Sequence, residues 1–306
     1  MSDRIALALQ RASFLRSPER YTVYDSIGGE SGEEAFRELS RDDLGRLLGR
    51  SVRSQQWNPD ELLKQADRDL EYLEQQEIGY FRPKDERMPV GLTSIYDPPF
   101  VLFYRGTLEL LEKTVLSVVG TRKPTQAGLA AAFSMGAEAR AYDVPVASGL
   151  ARGIDTAGHR GAVSVSGGTI AVLGSGIDYA YPSENRALYG LIIERGGLVL
   201  NEYPPGTEPH QHHFPERNRI ISGLAQGVVV VEAPQGSGAL ITADYALDQG
   251  RDVFVHQAGM DSEQGEGVRG LANDGAPIVE RFSDVLEAWG MRSDSATSAG
   301  DSDSAG

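Results

Sequence analysis

The chain has 306 residues, of which 40% are hydrophobic, contains no cysteine, and carries a formal net charge of −15 at pH 7. This length can bury a large core, and the lack of cysteine excludes disulfides, zinc thiolates and thiol nucleophiles. No apolar run approaches the ~18 residues that a membrane span needs. The N-terminus lacks an apolar signal segment, so we expect a cytoplasmic protein.

The acidic excess is unevenly distributed. Residues 223–306 contain 4 Lys and Arg against 14 Asp and Glu, a net charge of −10, whereas residues 91–222 contain 11 against 12. An acidic protein argues against a nucleic-acid partner, because binding to phosphates usually requires a basic surface. The near-neutral middle section carries arginines in its loops, and a local basic patch is compatible with an acidic body.

Residues 1–80 predict a small helical domain with helices at 5–15, 32–50 and 59–75. Four prolines lie among six aromatic residues in the segment 76–113. Such a segment cannot be one regular helix, and it favours a connector packed into the core with a short strand at 100–104. Stacking of these aromatic rings on nucleic-acid bases is the alternative.

From residue 115 the chain alternates apolar strands with glycine turns and helices. Strands are predicted at 115–119, 144–147, 169–173, 198–200, 228–231 and 253–255, and helices at 126–141, 154–165, 184–194, 217–225 and 239–249. The alternation predicts an α/β fold with a Rossmann-like, doubly wound, mainly parallel sheet over residues 81–290. A last helical turn is predicted at 284–289. The composition of residues 291–306 predicts a disordered acidic tail.

The loops that follow the strands of a parallel sheet all leave its carboxyl edge, where such folds bind ligands. After the first strand come Gly120 to Arg122, and then a helix whose N-terminus favours an anion. Glycines, hydroxyls and arginines also follow later strands. We therefore predict a phosphate-binding site at this edge, formed by Gly120, Thr121, Arg122, Ser148, Gly149, Arg152, Gly174, Gly176, Arg217, Asn218, Arg219, Ser237 and Gly238.

The densest element of this predicted site is Arg217 to Arg219. If Pro215 starts a helix, both arginines lie in its first turn, where cations oppose the helix dipole unless an anion neutralises them. That cost indicates a phosphate nearby. The structural alternative is that Glu216 or Asp155 pairs with these arginines.

Other chemistries have weaker support. Gly174–Asp178 begins like a dinucleotide fingerprint but has Tyr179 where the third glycine belongs, and no P-loop sequence occurs. His159 falls four residues after Asp155, which favours a structural hydrogen bond over an acid–base pair. A metal site is disfavoured at the three histidines His210, His212 and His213, which have no obvious carboxylate companion. We expect no cofactor, no metal and no catalytic residue.

Six groups of motifs occur in order between about Pro89 and Ala276: Ser117–Arg122, Ser148–Asp155 with His159, Thr169–Asp178, Tyr181-Pro182 with Asn185, Phe214–Ile220, and Val231–Ala233 with Ser237-Gly238 and Thr242-Ala243. Together they resemble the DNA-processing protein A family (DprA, also called Smf). The helical N-terminal region resembles the SAM-like domain that often precedes this core.

The resemblance implies a non-catalytic protein that binds single-stranded DNA and delivers it to a RecA-type recombinase in natural transformation or related recombination. It also implies a homodimer formed through the Rossmann-like domain, and a phosphate pocket at Gly120–Arg122 and Arg217–Arg219. The chain departs from the family at 253–259, which lacks the usual Pro-Gly, and at Arg269, where Asn is usual. It also lacks a C-terminal winged-helix segment, and its charge is −15.

A nucleotide-binding enzyme or sensor is the alternative, because related Rossmann-like folds include nucleoside-monophosphate phosphoribohydrolases. Those proteins usually carry Pro-Gly-Gly-x-Gly-Thr near a glutamate. Gln235–Gly238 after Glu232 matches that pattern poorly. A third interpretation is an architectural protein with a vestigial site.

Overall fold

The computed structural model describes residues 2–27, 32–53, 57–165 and 168–291, and the predicted acidic tail lies outside these ranges from residue 292 onward. The N-terminal region contains α1 (Asp3–Arg11), α2 (Ser17–Ser26), α3 (Gly32–Glu38), α4 (Arg41–Leu48) and α5 (Pro59–Gln75). The single helix predicted at 32–50 is wrong. Ser40 starts a second helix there, since its side chain accepts a hydrogen bond from the N–H of Asp43.

The sheet consists of β1 (Gly79–Phe81), β2 (Leu102–Gly106), β3 (Leu116–Val119), β4 (Val146–Ser148), β5 (Thr169–Leu173), β6 (Leu198–Asn201), β7 (Gly227–Val230), β8 (Asp252–His256) and β9 (Ile278–Val279). Within the described residues the strand order is β1-β2-β6-β5-β4-β3-β7-β8-β9. The strands from β6 to β9 in that order pair in parallel, and β2 and β1 extend the sheet in antiparallel pairs. This confirms the predicted Rossmann-like, mainly parallel sheet.

The remaining helices are α6 (Val90–Thr93), α7 (Gln126–Ala141), α8 (Ile154–Val165), α9 (Arg186–Glu194), α10 (His213–Leu224), α11 (Gly238–Asp248), α12 (Gln257–Met260), α13 (Glu266–Asn273) and α14 (Phe282–Ala288), with 3₁₀ turns at Leu108–Glu112 and Ser183–Asn185. Helix α10 begins at His213, earlier than predicted. Pro215 lies inside its first turn, where proline is tolerated because the first N–H groups have no helical partner. Arg217 therefore lies in the second turn.

The N-terminal helices and the sheet share one apolar core. Ile5, Leu7 and Leu63 belong to the same buried cluster as Phe100 and Phe103. The burial of these two phenylalanines confirms the core interpretation of the connector for them, whereas Tyr96 is 99% exposed. Strand β1 spans the point where we predicted the domain boundary, and that boundary stays a prediction.

No helix in the described ranges is long and apolar enough to cross a membrane.

The strand order places a topological switch point between β3 and β7. From β3 the chain moves outward through β4 and β5 to β6, and then returns to pair β7 with the other side of β3. The loops after β3 and β7 therefore diverge at the carboxyl edge. A crevice opens at such a point in doubly wound sheets, and ligands bind there.

Candidate functional site

A cavity of about 650 Å³ lies at this switch point and is called the main cavity below. It is bounded by the loops after β3 and β7 and by α10. Among the predicted site residues it brings together Gly120, Thr121, Arg122, Arg217, Asn218, Ser237 and Gly238. It is also lined by residues outside the predicted set, among them Lys123, Tyr181, Gln211, Phe214, Gln235 and Gly236.

A narrow extension of the main cavity, which we call the neck, contains two more predicted residues. Gly149 and Arg152 line it together with Arg122, Ala151, Tyr181, Pro182, Phe214 and Arg217. Four predicted residues reach neither space. Ser148 is buried and donates to the carbonyl of Val118, Gly174 lies against Phe214, and Gly176 lies against the 204–207 loop, so these three shape the walls without facing the opening. The fourth is Arg219.

Arg217 is held rigidly at the floor of the main cavity. Its Nη1 donates to the carbonyl oxygens of Gly149 and Val172, and its side chain lies beside the carboxylate of Asp155. Burial lowers the pKa of Arg217 to about 10, and the charge of Asp155 opposes that shift. Arg217 is therefore a cation at neutral pH whose direction is fixed before any ligand arrives.

Asp155 holds the loop that follows β4. Its Oδ2 accepts hydrogen bonds from the N–H groups of Gly149 (3.1 Å) and Ala151 (3.3 Å). Burial raises the pKa of Asp155, while Arg217 and these backbone donors act in the opposite direction. Asp155 is the one carboxylate among the described residues that line the main cavity.

Arg219 faces away from the main cavity, contrary to the prediction. Its Nη2 donates to both carboxylate oxygens of Glu202, at 2.9 and 2.7 Å, and its Nε donates to Asp97 at 3.3 Å. Residues two apart on a helix point in different directions, so α10 cannot present both arginines to one ligand. Arg219 therefore forms ion pairs within the protein, as the alternative interpretation of these arginines proposed. Its partners are Glu202 and Asp97, however, and not Glu216 or Asp155.

Two exposed cations stand at the mouth of the main cavity. The guanidinium of Arg122 lies over the ring of Phe214, 5.2 Å from its centroid, and Lys123 follows it in the same turn. Neither side chain forms an ion pair in the part of the chain that the structure describes. With Arg217 the cavity has three cations against one carboxylate, so it is a local basic patch in an acidic chain.

Backbone donors add to this positive character. The N–H groups of Arg122, Gly236 and Gly238 have no acceptor among the described residues. Gly238 is the first residue of α11, so the positive end of that helix faces the cavity. The structure differs here from the sequence expectation, which assigned this role to α7.

The N-terminus of α7 already carries its own anion. Both the N–H and the hydroxyl of Thr125 donate to the buried carboxylate of Glu232, at 2.9 and 2.6 Å. A carboxylate at this position accepts from the N-cap residue and interacts favourably with the positive end of the helix dipole. A bound anion would therefore gain less from α7 than from α11.

His159 has a structural role, as predicted, although its partners differ from Asp155. The hydroxyl of Thr169 donates its proton to the carbonyl oxygen of Val146, so the Thr169 oxygen accepts from Nδ1–H of His159 at 2.8 Å. The other ring nitrogen of His159, Nε2, accepts from the N–H of Leu150 at 3.3 Å. Burial lowers the pKa of His159 to about 3. The neutral ring fixes Leu150, which has a φ of 54°, an uncommon value for a residue with a side chain.

The three neighbouring histidines do not form a metal site. Among residues 2–27, 32–53, 57–165 and 168–291, no group of three or more His, Cys, Asp or Glu side chains is arranged to hold an ion. His213 instead stacks on Tyr203, with ring centroids 3.9 Å apart, and its Nδ1 lies 3.2 Å from the carbonyl oxygen of Gly174.

Comparisons with known proteins agree with this fold. The family model for DNA recombination-mediator protein A matches residues 80–290. The chain is 42% identical over 211 residues to the DNA processing protein DprA of Streptococcus pneumoniae, which covers 69% of this chain and 74% of that protein. The X-ray structure of S. pneumoniae DprA superposes with a TM-score of 0.76 at 34% identity, over 94% of this chain and 98% of that one.

A Helicobacter pylori DNA processing protein A, described with a unique single-stranded DNA binding mode, shares the fold. Its TM-score is 0.62 at 22% identity, over 70% of this chain and 95% of that one. The family-model match covers well over half of the chain. The chain therefore belongs to the DNA recombination-mediator protein A family, which confirms the resemblance found in the motifs.

Proposed function

We propose that the protein binds single-stranded DNA in the main cavity, without sequence preference and without cutting it. The observation that carries the proposal is the concentration of three cations and free backbone donors at the switch point of a chain whose net charge is −15. The description of the H. pylori protein, which shares the fold, supports the same ligand.

The chemistry of the cavity suits the backbone of a single strand. Arg122 and Lys123 are free to contact phosphates, and the N–H of Gly238 offers a neutral donor. Phe214 and Tyr181 stack on each other with centroids 5.5 Å apart, and Tyr181 is 40% exposed, so its outer face is open to a base. Such contacts hold a strand without reading its sequence.

The proposed role is non-catalytic. Ser237 caps α11, where its hydroxyl accepts from Ala239, and His159 is buried and neutral. Neither has the geometry of a nucleophile with its base. Delivery of the strand to a RecA-type recombinase, and a homodimer, belong to the same proposal on the strength of the family membership.

The test is binding of a fluorescent single-stranded oligonucleotide across a salt series. We expect wild-type affinity to fall steeply with salt, and Arg122→Ala with Lys123→Ala to lower the slope of log K against log salt by up to ~1.4, at ~0.7 per phosphate contact. Arg195→Ala is the control for Arg122→Ala alone, which should lower the slope by up to ~0.7. It removes one exposed cation between α9 and β6, at the opposite edge of the sheet. An equal effect of the control, or no binding by the wild type, would contradict the proposal.

A nucleotide-processing enzyme is the second candidate, because the cavity volume falls within the ~300–1,000 Å³ typical of small-ligand sites. The glutamate that such an enzyme would carry near its glycine loop corresponds to Glu232 in this chain. That side chain is buried and bonded to Thr125, so it is not free to act on a ligand. Hydrolysis of added nucleoside monophosphates by the wild type, lost in Glu232→Gln, would favour this candidate.

A further inference from the structure

A second cavity, of about 630 Å³, adjoins the main one and is formed partly by the helical N-terminal region. Tyr72 of α5 and Arg105 of β2 line one side. The loop that follows β5 and the start of α9 line the other, with Tyr179, Tyr181, Arg186 and Tyr189. None of the contacts assigned to the proposed function uses Tyr72, Arg105 or Arg186.

The neck joins the two cavities into one continuous surface. Arg122 and Phe214 line both the main cavity and the neck, and Arg152 and Pro182 line both the neck and the second cavity. Tyr181 lines all three spaces. A chain molecule that lies on Phe214 and Tyr181 therefore reaches the second cavity by passing over a single side chain.

The charged groups of the second cavity leave cations free for a ligand. Its two carboxylates are already engaged: Asp178 accepts from the N–H of Gly206 at 2.9 and 3.0 Å, and Glu184 pairs with Arg152. Arg105 and Arg186 form no ion pair in the described parts of the chain, and Arg105 interacts only with the neutral hydroxyl of Tyr189 and other uncharged groups there. Two guanidiniums without a carboxylate partner in one cavity favour a ligand that carries more than one negative charge.

Aromatic rings supply the other half of the chemistry. Tyr179 is 41% exposed, and its side chain makes no hydrogen bond among the described residues, so its ring faces solvent beside Tyr181. Large exposed rings interleaved with free arginines are typical of surfaces that bind single-stranded nucleic acid, where bases stack and phosphates pair.

We propose that the second cavity binds the continuation of the single strand held in the main cavity, with bases on Tyr179 and Tyr72 and phosphates on Arg105 and Arg186. This inference rests on the proposed function and extends it. It makes the helical N-terminal region one wall of the DNA path, with the Arg152–Glu184 pair at the passage between the two cavities.

The experiment compares strands of roughly four and roughly twelve nucleotides, lengths at the two ends of the usual range for one single-strand binding fold. The test variant is Tyr179→Ala with Arg186→Ala, two exposed side chains whose loss should leave the fold intact. The matched control is Tyr96→Ala with Arg195→Ala, which removes the same groups at positions that line none of the three spaces.

We expect the test variant to bind the short strand as the wild type does and the long strand about ten-fold more weakly. A fluorescent base analogue scanned along the long strand should be quenched by stacking at positions distant from the main cavity, and this distant quenching should vanish in the test variant only.

The outcomes separate the inference from the proposed function. If Arg122→Ala weakens both lengths while the test variant binds both like the wild type, DNA does bind in the main cavity and the second-cavity inference is wrong. If the wild type binds neither strand, the proposed function itself fails. Equal weakening of the long strand by the matched control would also overturn the inference, because the effect would then follow charge alone.

Discussion

Replacing Arg219 by methionine should destabilise the protein without changing the charge that the main cavity presents. The guanidinium of Arg219 is 6% exposed and is the ion-pair partner of Glu202, which is 9% exposed in its side chain. Removing one member of a buried pair costs about 3–5 kcal/mol when the other charge is left uncompensated. Arg20 is a second cation whose charge acts on Glu202, so the loss should lie near the lower end of that range. Asp97 adds little to this cost because its side chain is 39% exposed and water can solvate it.

The double variant Arg219→Met with Glu202→Leu should recover part of that loss, because it removes the unpaired Glu202 but also takes a compensating charge away from the buried Arg20. The ion pair is incompletely satisfied, since Nη1 of Arg219 and Oδ1 of Asp97 are buried without a partner among the described atoms. An apolar pair of similar size often equals or exceeds a buried ion pair in stability. The single variant therefore measures the cost of leaving Glu202 with Arg20 as its remaining cation, and the double variant adds the effect of removing Glu202 from Arg20.

The assay is urea unfolding followed by far-UV circular dichroism, with the oligonucleotide salt series measured on the folded protein. We expect a lower urea midpoint for Arg219→Met and a salt slope equal to that of the wild type. Arg122→Ala should show the reverse pattern, with an unchanged midpoint and a lower slope. If Arg219→Met kept its stability and lost ~0.7 from the slope, Arg219 would be a phosphate ligand and the present reasoning would be refuted.

Two further predictions concern the walls of the site. Two quantities define the first: the folded-state pKa of His159 is about 3, and its ordinary value is 6.5. The free energy of unfolding should therefore fall by about 1.4 kcal/mol per pH unit below about pH 6.5. Urea unfolding across pH should show that His159→Gln lacks this pH-dependent loss. Gly128→Ala should cost about 1–3 kcal/mol in thermal unfolding, because its Cβ would lie 2.8 Å from Oε1 of Glu232 and closer still to Cδ and Oε2. Gly190→Ala on α9 meets open space and should be neutral or stabilising, and a similar loss in both variants would contradict the steric argument.

The sheet and the place of the site could be predicted from the sequence because both follow from short-range patterns. Apolar strands and helices alternate in the second half of the chain, and α7, α8 and β5 occur at the residues predicted for them. Once the sheet is parallel, its carboxyl edge collects the loops, and the glycines and cations after β3 and β7 identify the main cavity. Lys123 could have been found by the same rule, since it follows Arg122 in that turn.

The directions of the arginines could not be predicted, because they depend on the helix phase and on partners distant in sequence. Arg219 pairs with residues 17 and 122 positions away, and nothing near it in the sequence identifies them. The second cavity was even less predictable from the sequence. Tyr72, Arg105 and Arg186 come from three separate parts of the chain, and only the pairing of β2 with β6 and the packing of α5 bring them together.

Helix α10 connects the main cavity to the N-terminal region. Arg217 on one face forms the floor of the main cavity, and Arg219 on another holds Glu202, whose backbone carbonyl accepts a hydrogen bond from the side chain of Gln10 in α1. The ion pair that orients Glu202 therefore also fixes α1 against the sheet, and α5, which carries Tyr72, packs on α1. It follows that loosening Arg219 should disturb the second cavity more than the main one, because Arg217 is held by carbonyls of the sheet edge, whereas Tyr72 lies on α5, which packs on α1.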